Sequence, residues 1–303
     1  MIVLEEQVIG FCCDNNDGGA VRGRGFTLLE LIVVILIISL LLAILCPVLA
    51  KVRQRARTLA GQANQRDVAG AAGLYASDND EKYPASVATI GVLDVYWHWQ
   101  EPTRLTGIEG LTPESNRAMS EFLRPYIKDA AKMYCPNAPR KYRYAQQAWD
   151  AGDDWDNPDT APNKDSVSGT YCFWWNYVGY HKPNRPFIGP KTPLQARAAD
   201  KILLTCYFGY DHWRSPGAFG SCERFRGAAE VPETFVSAAY WAASSDASRP
   251  VVKLQAAYMD GHVDSFLSTD ATAIRVAKTP DGRTPYRDGV GPGVFFIPAS
   301  AAR

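Results

Sequence analysis

A twenty-residue apolar segment, Phe26–Leu45, constrains the fold of this chain more than any other feature. Only Thr27, Glu30 and Ser39 bring polar side chains into it. Because an α-helix rises about 1.5 Å per residue, the segment covers roughly 30 Å, the thickness of the hydrocarbon layer of a bilayer. The segment therefore predicts one membrane-spanning helix that carries a carboxylate.

A cleaved secretory signal or a lipoprotein signal is the first alternative. The apolar core of a secretory signal is about 7–15 residues long, which is shorter than the segment here. Val48–Ala50 offers a cleavage site, and Cys46 offers a residue for lipid attachment. Leu45 is larger than the small residue that a lipoprotein needs before its cysteine. These features favour a helix that is retained in the mature protein.

Four residues stand at fixed positions around a cut between Gly25 and Phe26. Glycine precedes the cut, phenylalanine follows it, Glu30 becomes fifth in the mature chain and Pro47 becomes twenty-second. This set resembles the N-terminal segment of the type IV pilin and type II secretion pseudopilin superfamily. The resemblance implies that a prepilin peptidase cuts after Gly25 and methylates the new amine of Phe26.

The resemblance offers a physical explanation for the carboxylate of Glu30 in an apolar segment. A charged carboxylate at the centre of a membrane costs about 2.5 kcal/mol or more, so it needs a partner. In a filament, the partner implied by the resemblance is the Phe26 amine of a neighbouring subunit. A desolvated ion pair of this kind fixes register better than it adds stability. The alternative is a glutamate close enough to the bilayer surface to reach water.

The resemblance also implies an orientation. It makes the chain a single-pass inner-membrane protein whose N-terminus is cytoplasmic and whose soluble domain is periplasmic or, after assembly, on the cell surface. Basic residues normally collect on the cytoplasmic side of a span. Here the leader has only Arg22 and Arg24 near the span, whereas a basic cluster, 51–57, follows it. The charge distribution therefore opposes the implied orientation.

Three segments follow from these observations: a leader over 1–25, a transmembrane helix over 26–50 and a globular domain over 51–303. Small and apolar residues continue after the span at helical spacing, which predicts that the helix enters the globular domain, bent at Pro47. This stripe consists of Val52, Ala56, Leu59, Ala63, Gly70 and Leu74.

The rest of the chain predicts mainly β-structure. Aromatic and aliphatic runs indicate strands over 170–178, 201–208 and 253–266, and Asp260-Gly261 predicts a two-residue type I′ hairpin. The polar stretch Gln146–Ser168 predicts an exposed loop. The fold class is therefore α+β, a long N-terminal helix packed on an antiparallel sheet, as in pilins.

Several short motifs extend the resemblance beyond the span. Long pseudopilin-like proteins close the first helix with a tyrosine, acidic residues and a Tyr-Pro pair, and Tyr75 and Tyr83-Pro84 match this pattern. Pro125-Tyr126, Cys135-Pro136 and Asp260–Val263 follow in the same order as in those proteins.

Four cysteines follow the span, and in an oxidising compartment they are candidates for one or two disulfides. They are Cys135, Cys172, Cys206 and Cys222. The sequence does not choose among the pairings, and buried thiols are the alternative. No two cysteines have the CxxC spacing of a zinc or redox site.

Two groups of aspartates could supply oxygen ligands to calcium. They are Asp78 with Asp80, and Asp153, Asp154, Asp156 and Asp159. Neither group has the spacing of an EF-hand, so we expect solvated acids and no cofactor, with calcium as the alternative.

The histidines do not predict catalysis. They are His98, His181, His212 and His262. No GxSxG or HExxH motif accompanies them, so we do not expect an enzyme. A net charge of zero likewise gives no reason to expect a nucleic-acid partner.

Two aromatic runs, Tyr96–Trp99 and Phe173–Tyr177, suggest stacking on sugar rings. Because neighbouring residues of a strand point to opposite faces, at least half of each run is expected in the core.

The resemblance implies a pseudopilin-like subunit of a type II secretion or type IV pilus-like system, whose partners are prepilin peptidase, other pilin or pseudopilin subunits and the inner membrane. The alternative is a membrane-tethered protein that binds polysaccharide and uses the helix only as an anchor.

The first prediction concerns the mature N-terminus. Mass spectrometry of the protein purified from its native host is expected to find a chain that begins with a methylated Phe26. A functional protein that keeps residues 1–25 would contradict this prediction.

Overall fold

The chain folds into two compact units, the first ending at Lys51 and the second beginning at Val52. The computed structural model describes residues 26–86, 102–106, 118–138, 142–155, 157–159, 167, 169–182, 185–195, 201–207, 209–210, 253–275 and 294–302. Helices and antiparallel sheets make up these residues, so the predicted α+β class is confirmed.

Helix α1, Leu28–Asp78, is 51 residues long and contains Pro47. Every side chain from Phe26 to Ala50 is exposed, and the most apolar stretch has a mean hydropathy of 3.3. The Ser39 hydroxyl donates a hydrogen bond to the Ile35 carbonyl oxygen at 2.6 Å, so this polar group is satisfied within the helix. By length and composition, the first part of α1 is able to span a membrane.

Two further short helices belong to the second unit, α2 (Met119–Leu123) and α3 (Ala145–Ala151). The strands are β1 (Tyr171–Phe173), β2 (Val178–Lys182), β3 (Arg185–Ile188), β4 (Ile202–Cys206), β5 (Gly209–Tyr210), β6 (Lys253–Tyr258), β7 (Val263–Leu267), β8 (Ala271–Arg275) and β9 (Val294–Pro298). One sheet has the order β1-β4-β6-β7, and the other has the order β3-β2-β8-β9-β5. All of their pairings are antiparallel.

Two main clusters of buried side chains hold this unit together. The first joins α1, through residues such as Val68 and Ala72, to residues of the four-stranded sheet such as Phe173 and Leu204. The second joins that sheet, for example at Ile202, to the five-stranded sheet. The four-stranded sheet therefore contributes to both cores.

The face of α1 that enters the core is not the one that the sequence predicted. The buried positions from Val52 onward are Gly61, Gln65, Val68, Ala69, Ala71, Ala72 and Ala76. The predicted stripe is exposed instead, with Val52 at 56%, Leu59 at 64% and Leu74 at 58% of their full accessible surface. Small residues on the buried face let the backbone lie close to the sheet. A methyl group at Gly61 would lie 3.1 Å from Gln255 Oε1.

The predicted hairpin forms, but its loop is one residue longer. The Gly261 N–H donates to the Tyr258 carbonyl oxygen, and the Tyr258 N–H donates to the His262 carbonyl oxygen, both at 3.0 Å. Only Gly261 has a positive φ, 84°, whereas a type I′ turn needs positive φ at both central residues. The two-residue prediction was therefore wrong, because the single left-handed glycine closes a three-residue loop.

The sequence predicted an exposed loop over Gln146–Ser168, but the first residues of this stretch belong to a helix. Helix α3 occupies Ala145–Ala151 because Trp149 anchors it in the core. The Trp149 indole N–H donates to the Ile127 carbonyl oxygen at 3.0 Å. Ala148, Trp149 and Trp155 are buried, so these side chains order a segment whose composition is otherwise typical of a loop.

Two of the motifs that follow the span, Tyr83-Pro84 and Pro125-Tyr126, lie at the end of α1. The Tyr126 hydroxyl donates to Asp78 Oδ2 at 2.6 Å, and this hydrogen bond raises the pKa of Tyr126. Asn176, which has a φ of 53°, donates its amide N–H groups to the carbonyl oxygens of Tyr83 at 3.1 Å and Pro84 at 2.7 Å. The Tyr-Pro pair therefore serves to fasten the helix end to the turn after β1.

The second prediction compares two glycines. A methyl group at Gly70 meets nothing within 4 Å, so Gly70→Ala should stabilise the exposed helix by about 0.5–1 kcal/mol. A methyl group at Gly189 would lie 1.6 Å from the Trp174 carbonyl oxygen, so Gly189→Ala should destabilise the fold by about 1–3 kcal/mol or more. Urea unfolding of the detergent-solubilised chain measures both changes. Equal effects of the two substitutions would contradict this packing.

Candidate functional site

Glu30 caps the N-terminus of α1 through hydrogen bonds within its own chain. The Thr27 N–H donates to Glu30 Oε2 at 2.9 Å, and the Thr27 hydroxyl donates to the same oxygen at 2.8 Å. In return, the Glu30 N–H donates to the Thr27 hydroxyl oxygen at 3.2 Å. This reciprocal arrangement is a capping box, in which the first residue before the helix and the third residue within it satisfy each other.

The capping box matters because of where the helix begins. The first N–H groups of a helix have no partner within it, and an unpaired backbone group in hydrocarbon costs several kcal/mol. The partial positive charge at the helix N-terminus also favours a carboxylate in the first turn. Glu30 therefore stabilises the start of an apolar helix before any second chain is involved.

The capping box satisfies hydrogen bonds, but the part of the chain that the structure describes supplies no counter-charge to Glu30. Within the described residues, both hydrogen bonds to the carboxylate end on Oε2, which leaves Oε1 open to another donor. No Lys or Arg of those residues forms an ion pair with Glu30. Phe26 precedes the box with 74% of its surface exposed. The carboxylate is thus available to a cation from another molecule.

Sequence reasoning missed this local role of Glu30. The signal was present, because Thr-x-x-Glu before an apolar run is a recognisable capping-box pattern. The sequence predicted either a cationic partner for Glu30 in a neighbouring subunit or contact of its carboxylate with water at the bilayer surface, and neither prediction includes a cap. Gly25, the other predicted processing residue, lies outside the described residues.

The cysteines that the structure describes are either thiols or part of a disulfide. Cys46 is an exposed thiol, whereas Cys135 and Cys172 are buried thiols. Cys206 is disulfide-bonded and accepts a hydrogen bond from Gln65 Nε2 at 3.2 Å. Cys222 lies outside the described residues.

Several of the predicted acids are engaged in contacts. Asp159 pairs with Arg143 at 2.6 Å, Asp80 pairs with Lys82 at 3.8 Å, and Asp78 accepts the Tyr126 hydrogen bond described above. Asp156 and the Asp153 side chain lie outside what the structure describes. Among the described residues, no group of three or more His, Cys, Asp or Glu side chains is placed to hold a metal.

His262 belongs to the hairpin loop. Its ring stacks on Tyr258 at 4.3 Å between centroids, and its Nδ1 contacts Asp260 Oδ1. Partial burial raises the pKa of Asp260, but the interactions with His262 outweigh burial and lower the pKa below its usual value. These contacts shape the loop. His98, His212 and the side chain of His181 lie outside what the structure describes.

The aromatic run Phe173–Tyr177 is part of the core. Phe173, Trp174, Trp175 and Tyr177 are all buried, so none of these rings is open to a sugar. The other run, Tyr96–Trp99, lies outside the described residues. The run that the structure describes therefore gives no support to polysaccharide recognition.

Comparison with known proteins finds a family match to the N-terminal segment of the chain. Residues 22–45 match the family described as the prokaryotic N-terminal methylation motif. A motif of this kind supports a pilin-type precursor, with processing by prepilin peptidase and assembly with other pilin subunits. The long apolar helix of this chain fits a membrane anchor. No curated protein and no solved structure is significantly similar to the chain.

The third prediction tests the capping box. Thr27→Ala removes the hydroxyl that joins the two residues and should cost the first turn about 1 kcal/mol, which corresponds to roughly fivefold faster amide exchange over Leu28–Leu31. Hydrogen exchange of the full chain in lipid nanodiscs measures this effect. Thr27→Ser keeps a hydroxyl and should retain the slow exchange. Unchanged exchange in Thr27→Ala would rule out the cap.

Proposed function

We propose that the chain is a pseudopilin-like filament subunit of a type II secretion or type IV pilus-like system. It is cleaved after Gly25, methylated at Phe26 and assembled through α1. One observation carries the proposal: the methylation motif at residues 22–45 coincides with an exposed apolar helix that begins at Leu28 and is capped by Thr27 and Glu30. Before assembly, the subunit is a single-pass inner-membrane protein with a cytoplasmic N-terminus.

Burial of the first part of α1 is the main driving force in this proposal. Its leucine, isoleucine and valine side chains are exposed, and residues such as Leu28 and Leu36 keep 75% and 64% of their accessible surface. In the membrane, lipid covers these side chains. In a filament, the equivalent helices of other subunits cover them, gaining close packing between helices.

Glu30 fixes the register of that assembly. Its Oε1 is open and its charge has no partner among the described residues. The methylated amine of Phe26 in a neighbouring subunit remains a cation, so it supplies both a charge and a donor. Because an unpaired charge in an apolar medium is costly, subunits that miss this pairing are disfavoured.

The second part of α1 offers another surface for assembly. The exposed stripe of Val52, Leu59 and Leu74 lies about 180° around the helix from the face that packs on the sheet. It leaves three large aliphatic side chains in water. Covering them with a neighbouring subunit removes apolar surface from water without disturbing the core.

The fourth prediction separates a filament subunit from a tethered binding protein. Glu30→Ala removes the register-setting charge, so filament assembly should be lost while the protein remains cleaved and membrane-bound. Electron microscopy of sheared filaments, with immunoblots of membrane fractions, measures both properties. A tethered receptor would keep its function in this variant.

A matched control isolates the charge from the cap, because Glu30→Ala removes both. Thr27→Val removes the capping hydroxyl and keeps the carboxylate. Filaments should therefore persist in Thr27→Val and disappear in Glu30→Gln, which keeps an acceptor but loses the charge. Normal filaments from Glu30→Gln would contradict the proposed pairing.

A further inference from the structure

Within the second unit, α1 packs on its neighbours through two stretches of different chemistry. Over residues 68–76, every buried side chain of α1 is apolar and belongs to the first core cluster. Between Val52 and Val68, the buried residues of α1 are Gly61 and Gln65, and neither brings an apolar side chain. Residues 58–65 are called the polar segment below. Apolar burial therefore holds the later turns of the helix but not the polar segment.

Side-chain amides connect the polar segment to its neighbours. Gln255 Nε2, on β6, donates to the Thr58 carbonyl oxygen at 3.1 Å, and Gln65 Nε2 donates to Cys206 Sγ at 3.2 Å. A third amide, that of Asn64, donates to a backbone carbonyl oxygen at 3.1 Å. Hydrogen bonds of this kind add little net stability, because water replaces them when a contact opens.

The partners of the two glutamines fix the orientation of their amides. The Thr58 carbonyl oxygen only accepts hydrogen bonds, and Cys206 is disulfide-bonded, so its sulfur has no hydrogen to donate. Each glutamine therefore turns its N–H group toward its partner and its Oε1 away from it. Gln65 is 0% and Gln255 is 2% exposed, and among the described residues neither Oε1 has a hydrogen-bond donor. A buried acceptor without a donor costs free energy that is recovered when the acceptor reaches water.

Both glutamine amides lie near Gly61. A β-carbon at Gly61 would lie 3.1 Å from Gln255 Oε1 and 3.6 Å from Cys135 Sγ. Gln65 follows one helical turn later on the same side, and helical side chains lean toward the N-terminus, so its amide lies over the same turn. Separation of this turn from the sheet therefore hydrates both oxygens and uncovers the Cys135 thiol.

We propose that the polar segment detaches from the sheet as a unit, in a minor population, while residues 68–76 stay packed in the core. The amide oxygens of Gln65 and Gln255 favour detachment, because they gain hydrogen bonds to water only in the open form. The apolar contacts of the later turns oppose it beyond Val68. The segment is thus a conformational device within the globular unit, and it depends neither on the membrane nor on filament assembly.

Two buried thiols report this opening. Cys135 lies beside Gly61, whereas Cys172 lies in the second core cluster, which contains no residue of α1. The full-length chain, as monomers in detergent, is alkylated with iodoacetamide, and peptide mass spectrometry measures the rate at each thiol. Each rate is divided by the rate of the same thiol in urea, which removes differences in intrinsic reactivity. Because alkylation is slow compared with closing, this ratio measures the population of the open form.

Cys135 is expected to react at least about tenfold faster than Cys172 on this scale, because the polar segment opens without global unfolding. The double variant Gln65→Met with Gln255→Met removes both oxygens and keeps flexible side chains of similar length. Alkylation of Cys135 should then slow by about fivefold or more, while that of Cys172 stays unchanged. Gln62→Met alters a half-buried glutamine of the same segment and should leave both rates unchanged.

Two results would overturn the opening. Equal protection of the two thiols in the unaltered chain means that the polar segment leaves the core only on global unfolding. Unchanged or faster alkylation of Cys135 in the double variant means that the two amides hold the contact closed. If the double variant does not fold, each single variant gives the same comparison with a smaller slowing. Because the chain is monomeric throughout, neither result bears on filament assembly.

Discussion

A charged carboxylate in hydrocarbon must have a partner, and the account of this protein depends on how Glu30 meets that requirement. Its own Thr27 supplies two hydrogen-bond donors to Oε2, which closes the first turn of α1. Hydrogen bonding to neutral groups does not cancel the charge, however. The described residues of one chain therefore satisfy the hydrogen bonds of the helix end but do not neutralise the charge of Glu30. That charge favours association with a cation of another chain.

The two parts of α1 have different surroundings. The first part exposes apolar side chains all around, which suits lipid or a bundle of equivalent helices. From Val52 onward, one face of small residues packs on the sheet, while the opposite face keeps exposed Leu59 and Leu74. Close packing at Gly61 and the contacts at Tyr83 hold this part of the helix to the globular unit.

The sequence predicted the elements of the fold better than their contacts. The anchor helix and the buried strands could be predicted because long apolar runs and their hydrophobic period are enough to identify both kinds of element. The face of α1 was predicted wrongly because the predicted stripe was the one that contains the large residues Leu59 and Leu74, whereas a close helix-sheet contact selects small residues such as Ala72. The Thr-x-x-Glu pattern of the capping box at Thr27 is recognisable in the sequence, but no cap was predicted from it. Helix α3 depends on Trp149 reaching a core formed by distant residues, which no local pattern encodes.

The contact between subunits is the most direct measurement of the central claim. Filaments would be grown from a mixture of two preparations, one labelled with nitrogen-15 and the other with carbon-13, and examined by solid-state NMR. The account predicts a contact within about 4 Å between the Phe26 amine nitrogen of one subunit and the Glu30 carboxyl of another. Filaments in which Glu30 contacts only Thr27 of its own chain would contradict it.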